Sequence, residues 1–287
     1  MSLDREATRW WHSGDAMTNA RWTCAVGVLI LGVWSTQHAV ATADAFSADT
    51  PPVVVAELFT SEGCSSCPPA DQVLSQLVKR GQPGVEVLAL GEHVDYWDRL
   101  GWRDPFSSSA NSSRQAQYDA RVFHRNEVYT SQLVIDGQLA AVGSDTVGIQ
   151  RAIRRAADAP KATVQIVVGR QRDRELEVGL HVAAPPAFTL RESAEVLIAV
   201  VEDNLQTEVR RGENRGRTLK HDAVVRSLTS VGTLSRDNRT WSTSAAVKLA
   251  PEWKPANIRL VAFLQEHESR RIVGAGAATL AGGMERR

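Results

Sequence analysis

Val53 to Phe59 is a nearly continuous apolar and β-branched run, the pattern of a strand buried on both faces of a sheet. Past a short polar turn the period lengthens: Val73, Leu74, Leu77 and Val78 recur at helical spacing within Ala70 to Arg80. Pro68-Pro69 stand where a helix start tolerates a missing N–H, and Gly81-Gln82-Pro83-Gly84 ends the helix. Val85 to Leu90 predicts a second buried strand, and Ser112 to Arg125 a second helix. Leu133–Ile135 and Leu139–Val142 flank Asp136-Gly137, which predicts a hairpin with a tight turn. Asp145 to Ala157 predicts a third helix, capped by Ser144 or Asp145.

The remainder changes character. Thr163–Val168, Leu176–Val182, Ala194–Val201, Thr243–Leu249, Ile258–Leu264 and Ile272–Ala275 read as short strands separated by turn-rich loops such as Ala183-Ala184-Pro185-Pro186. Strands without intervening helices predict an antiparallel sandwich. The order before Ala159-Pro160 (strand, helix, strand, helix, strand, strand, helix) is that of the thioredoxin fold. The expectation is therefore an α/β thioredoxin-like N-terminal domain, residues 51–159, followed by a β-rich, sandwich-like C-terminal domain, residues 160–280.

Upstream, Thr23 to Ser35 is almost wholly apolar, follows Arg21, and precedes the small-x-small sites Ala39-Val40-Ala41 and Ala41-Thr42-Ala43. About 13 apolar residues suit a cleaved export signal better than a membrane span, which needs roughly 20. Residues 1–45 are read as this signal, with no membrane span after cleavage. Residues 1–16 carry charges and aromatics that a signal does not need, which points to Met17 as the start. The destination is periplasmic or secreted. The 33 basic and 33 acidic residues balance to a formal charge of zero, so there is no electrostatic case for a nucleic-acid or membrane-surface partner.

Of three cysteines, Cys24 lies in the signal, which leaves Cys64 and Cys67 in an oxidising compartment with no odd thiol. The pair sits in Glu62-Gly63-Cys64-Ser65-Ser66-Cys67-Pro68-Pro69, where the first strand hands over to the first helix. This is the local setting of thiol–disulfide exchange.

The stretch Glu57-Leu58-Phe59-Thr60-Ser61-Glu62-Gly63-Cys64-Ser65-Ser66-Cys67-Pro68-Pro69-Ala70-Asp71 resembles the signature of a secreted bacterial thioredoxin-like family catalogued as a domain of unknown function. His93-Val94-Asp95-Tyr96-Trp97-Asp98, Gly101 to Phe106, Val128-Tyr129-Thr130 and Arg211 to Leu219 extend the likeness over nearly the whole exported chain. The resemblance implies a thioredoxin-like domain and then a β-rich one, and leaves the activity open.

In a site of that kind Cys64 is the nucleophile, favoured as thiolate at a helix N-terminus, and Cys67 resolves the mixed disulfide. The substrate is then an extracytoplasmic protein or a small thiol or disulfide, and no cofactor is needed. Glu62 works against a thiolate, since a nearby carboxylate disfavours a second negative charge. His93 or Asp95 stands ready to move a proton at Cys67 or to orient a substrate, with Trp97 beside them. The structural alternative has Asp95 and Asp98 capping the turn while Tyr96, Trp97 and Trp102 pack the loop. Thr130-Ser131 occupies the substrate-docking position, but the family usually carries proline where this chain has Ser131. Non-proline cis bonds cost about 2.5–4 kcal/mol, so a trans bond is expected.

Two further readings compete with exchange. Cys64–Cys67 is a structural disulfide in a binding module, or the pair joins His93, His124 or His221 in a copper or zinc site. Arg114 is expected on a solvated helix face. Arg211-Gly212-Glu213-Asn214-Arg215-Gly216-Arg217 is expected as a solvated or interdomain salt-linked loop.

Overall fold

The computed structural model describes residues 51–280 of the 287-residue chain. The predicted signal, its Cys24 and the Met17 start lie outside the described residues. Strand β1 (Val53–Thr60) leads through the cysteine turn into helix α1 (Pro68–Arg80), which presents Ala70, Leu74 and Leu77 to the core. Burying each leucine contributes roughly 1.5–3 kcal/mol. Gly81 stops the helix with φ 64°, its N–H donating to the Leu77 carbonyl at 2.9 Å. Next come β2 (Glu86–His93) and α2 (Ser109–Tyr118), the latter capped by the Ser108 side chain. The predicted hairpin forms from β3 (Gln132–Ile135) and β4 (Leu139–Val142), and α3 (Thr146–Ala157) follows with Asp145 as cap.

The second half is strand after strand: β5 (Ala162–Arg172), β6 (Glu175–Ala183), β7 (Ala194–Glu202), β8 (Leu205–Glu208), β9 (Thr218–His221), β10 (Val224–Leu234), β11 (Thr240–Lys248), β12 (Ile258–Glu266) and β13 (Ile272–Thr279). β8 and β9 pair only with each other. All the others join β1–β4 in one mixed sheet of eleven strands, in the order β11-β6-β5-β13-β12-β7-β10-β2-β1-β3-β4.

This corrects the expected fold class. Among the described residues there is not an α/β thioredoxin-like domain followed by a sandwich, but one large mixed sheet with three α-helices. The joint is β10, which runs antiparallel to β7 and meets β2 in parallel at Val224 and Gly91. There the Gly91 N–H donates to the Ala223 carbonyl at 2.6 Å, an approach that suits a residue without a side chain. Sequence periodicity misses β10 for a physical reason. Two register shifts, between Val225 and Ser227 and between Ser230 and Gly232, dephase its alternation, so the strand does not read as a period of two.

Packing follows the same continuity. One core joins α1, α3, β1 and β2 to Leu197, Ala199, Val201, Val261 and Phe263 of the second half. The opposite faces of β7 and β12, with Val196, Ile198, Val200, Leu260 and Leu264, build a second core against β6 and β13. Burial on both faces is why β7 is apolar at every position from Val196 to Val201. β6, buried on one face, alternates.

Candidate functional site

β1 ends at Thr60, and the chain turns through Ser61, Glu62 and Gly63 before the cysteines. Cys64 and Cys67 form a disulfide with Cα atoms 5.5 Å apart. Cys67 is the N-cap of α1, its carbonyl accepting from the N–H groups of Ala70 (2.8 Å) and Asp71 (3.1 Å). Both cysteines are buried, Cys64 at 1% exposure and Cys67 at 0%.

The Arg211–Arg217 loop between β8 and β9 binds the cysteine turn. Asn214 is fully buried and donates through Nδ2 to the carbonyls of Glu62 (2.8 Å) and Cys64 (2.9 Å). Glu213 accepts from the Ser65 N–H at 3.0 Å, and hydrogen bonds from Ser65 hold its carboxyl below the usual range. The loop expected to be solvated or salt-linked is thus the lid of the cysteine turn.

Around the turn lies a buried cluster of carboxylates and imidazoles. The Glu62 carboxylate accepts from Trp102 Nε1 (2.8 Å) and faces His221 Nε2 (3.1 Å). Asp71 accepts from the Thr60 hydroxyl at 2.8 Å and lies 3.8 Å from His221 Nδ1; burial pushes its carboxyl up despite that imidazole. Asp104 accepts from the Glu62 N–H (2.8 Å) and the Phe106 N–H (2.9 Å), and pairs with His93 Nδ1 at 2.6 Å. The His93 and His221 rings meet edge-on with centroids 4.8 Å apart.

Burial by itself disfavours the His93 imidazolium, but Asp104, together with Asp71 and Glu62, outweighs it and holds His93 above the usual imidazole range. Burial likewise raises Asp104, and His93 with the two backbone donors brings it below the usual carboxylate range. The signs set a window. The His93 contribution is complete below about pH 6.5 and is lost as pH rises through its raised value; the Asp104 contribution is complete above about pH 3.9 and is lost as pH falls through its lowered value. Asp104→Asn should cost about 2 kcal/mol or more near pH 6, read as a melting point lower by roughly 4–8 °C. The gap between variant and parent should narrow by pH 9; an equal gap at both pH values would rule the ion pair out as its source.

Asp95 accepts from the Ser112 hydroxyl at 2.5 Å, which ties the loop to α2. Trp97 stands against the cysteine turn, its Cβ 3.1 Å from where a Gly63 Cβ would be, and its indole N–H is buried without a partner. The Thr130–Ser131 bond is cis, not trans as expected from its intrinsic cost. Tertiary neighbours, absent from a local reading, surround this bond: the Ser131 carbonyl accepts from the Gly143 N–H at 2.9 Å, and a Cβ on Gly143 would press on Leu58, Ala70 and Ser131. His124 is exposed, at the end of a π turn after α2. Among the described residues no three His, Cys, Asp or Glu side chains converge to hold a metal ion. His93 and His221 face carboxylates, and both sulfurs are spent in the disulfide.

Arg114 is the clearest correction. It is 6% exposed, and donates to Glu57 (2.6 Å), Gln265 (3.0 Å) and the Tyr118 hydroxyl (3.0 Å), with Glu92 at 3.3 Å. Tyr118 in turn donates to Glu57. Burial and the neighbouring Glu57 push Glu92 well above the carboxylate range despite Arg114. The signal for this second cluster was present: Glu57 interrupts the apolar run of β1, and Glu92 follows the apolar Val87–Leu90 of β2. Nothing local tells which cation meets them, since Arg114 is 57 residues from Glu57.

A family model described as "Protein of unknown function (DUF1223)" matches residues 55–265. Protein AGR_C_4864 from Agrobacterium tumefaciens is similar over 82% of this chain and 96% of its own, at 27% identity and a TM-score of 0.61. HBP35 of Porphyromonas gingivalis is similar over 80% of this chain and 76% of its own, with a TM-score of 0.62; at 13% identity this likeness is one of fold alone. No curated protein matches the chain.

Proposed function

The chain belongs to the DUF1223 family of proteins of unknown function, and we propose that it is an extracytoplasmic ligand-binding protein whose Cys64–Cys67 disulfide is a structural brace. One observation carries this reading: both cysteines are buried, and the buried Asn214 ties down the turn through the Glu62 and Cys64 carbonyls. Exchange requires an attacking thiolate in line with a disulfide sulfur, and a covered pair offers no approach. A ring closed over so few residues gains little chain entropy, so the brace acts by holding the native turn against Asn214 and Glu213. Extracytoplasmic placement is supported by the signal-like segment and by a disulfide, which persists in oxidising compartments.

Dithiol exchange is the second reading. It is favoured by the position of Cys67 at the N-cap of α1, with the raised Asp71 carboxyl one turn along. Reduction separates the two. The native disulfide should resist millimolar glutathione at neutral pH, and Cys67→Ser, which leaves a lone Cys64 thiol, should trap no mixed disulfide with periplasmic proteins or glutathione. Asn214→Leu should make the disulfide reducible under the same conditions by lifting the cover. Trapping at Cys64 in the otherwise native protein would move the assignment to exchange.

A further inference from the structure

Between α2 and the strands β7 and β10 lies a cavity of about 580 Å³, within the range typical of small-molecule sites. Three guanidinium groups line it, those of Arg114, Arg226 and Arg270, with Phe106, Trp253 and Glu195. Arg114 is paired with Glu57 and Glu92. Arg226 lies 3.5 Å from Glu202 and is flanked by the rings of Phe106 (5.3 Å) and Trp253 (5.5 Å). Arg270 differs: it is 5% exposed, its Nε is buried without a hydrogen-bond partner, and among the described residues no carboxylate stands within ion-pair distance of it. The Tyr118 ring lies 5.7 Å from its guanidinium, and the charges of Glu57 and Glu195 favour the cation from beyond ion-pair distance.

A buried lysine or carboxyl in such a place would shed its charge, but a guanidinium does not deprotonate in proteins and so keeps an unmet need for a counter-anion. We propose that this cavity binds a small organic monoanion, a carboxylate with an aromatic or apolar body, whose head pairs with Arg270 and whose body lies against Phe106 and Trp253. The single negative charge follows from the pairing pattern, since only one of the three cations is free. Glu195 of β7 and Glu252, which line the same cavity, further disfavour a dianion such as phosphate. The proposal rests on the binding-protein reading and supplies its ligand class.

The test is calorimetric titration of the intact, oxidised protein with phenylacetate, its neutral analogue phenylacetamide, and inorganic phosphate. Phenylacetate should bind saturably at about 1 mM or tighter, while phenylacetamide and phosphate bind at least tenfold more weakly. Arg270→Met should weaken phenylacetate tenfold or more, the loss expected of one charge-assisted pair. Its melting point should be unchanged or higher, because an unpaired buried charge has been removed; a structural arginine would lower it. Absence of phenylacetate binding in the parent protein, equal binding of the amide, tighter binding of phosphate, or an Arg270→Met variant that binds as the parent does would each overturn the proposal. These results are independent of the disulfide: trapping at Cys64 would sink the brace reading and leave the titration intact, and a silent cavity would leave the resistance to glutathione intact.

Discussion

Replacing Arg114 by methionine is expected to lower stability by about 3–5 kcal/mol, the cost of removing one partner from a buried charge network. For a chain of this size that is a melting point lower by roughly 6–20 °C, or failure to accumulate as soluble protein. The reason is the neighbourhood. Glu57 is fully buried, and its carboxylate is satisfied by Arg114 and Tyr118; without the guanidinium it keeps one neutral donor. Gln265 of β12 loses the donor at its amide oxygen as well, so the damage spans both halves of the sheet. Burial alone would weaken the Arg114 cation, and Glu57, Tyr118 and Glu92 more than reverse this. Arg114→Lys keeps the charge but loses the planar fork that reaches Glu57, Gln265 and Tyr118 together, and should fall between parent and methionine variant. In the double variant Glu57→Gln/Arg114→Met the losses should be markedly less than additive. Thermal melts decide it: a methionine variant within about 2 °C of the parent would show that the cluster is not a keystone.

Gly276→Ala is expected to be nearly as damaging, although it adds a single methyl group. A Cβ at Gly276 would stand 1.8 Å from the Val164 carbonyl oxygen of β5, a contact only backbone movement can relieve. β5 is held to β13 by a short parallel ladder, Gly274 with Ala162 and Ala275 with Thr163. Pushing the strands apart there frees the β5-β6-β11 edge of the sheet and opens the core containing Ala162 and Val164. Overpacking of this kind costs about 1–3 kcal/mol where side chains can yield and more where backbone must, so about 3 kcal/mol is the floor expected. Gly179→Ala on β6 is the control. Its Cβ would meet nothing nearer than Val167 Cβ at 3.5 Å, and its melting point should stay within a few degrees of the parent. Similar melting points for the two variants would refute the account of the β5–β13 joint.

Both variants act where sequence reading is weakest. α2 shows why: its buried positions are Asn111, Arg114, Gln115 and Tyr118, a helical stripe made of polar side chains. A hydrophobicity pattern takes such a stripe for a solvated face. Here it is the packed face, because Glu57, His93, Tyr129 and Gln132 supply partners for its hydrogen bonds. The cysteine site repeats the lesson. The strand-to-helix turn around Cys64 and Cys67 is legible in a few residues, whereas its cover, Asn214, lies 150 positions away from Cys64.

The chain's own pattern determined the local units: apolar runs made β1, β2, β7 and β12, helical spacing and caps made α1 and α3, and Asp136-Gly137 made the hairpin. These depend on neighbours in sequence, so the sequence displays them. Tertiary structure alone decided that β10 would join β2 and make one sheet of two halves, that the Arg211–Arg217 loop would close over the disulfide, and that Arg114 would be buried while Arg270 stayed unpaired. Each of those outcomes is a pairing between distant groups. Its free energy comes from mutual desolvation and hydrogen bonding, which exist only once the fold has brought the partners together.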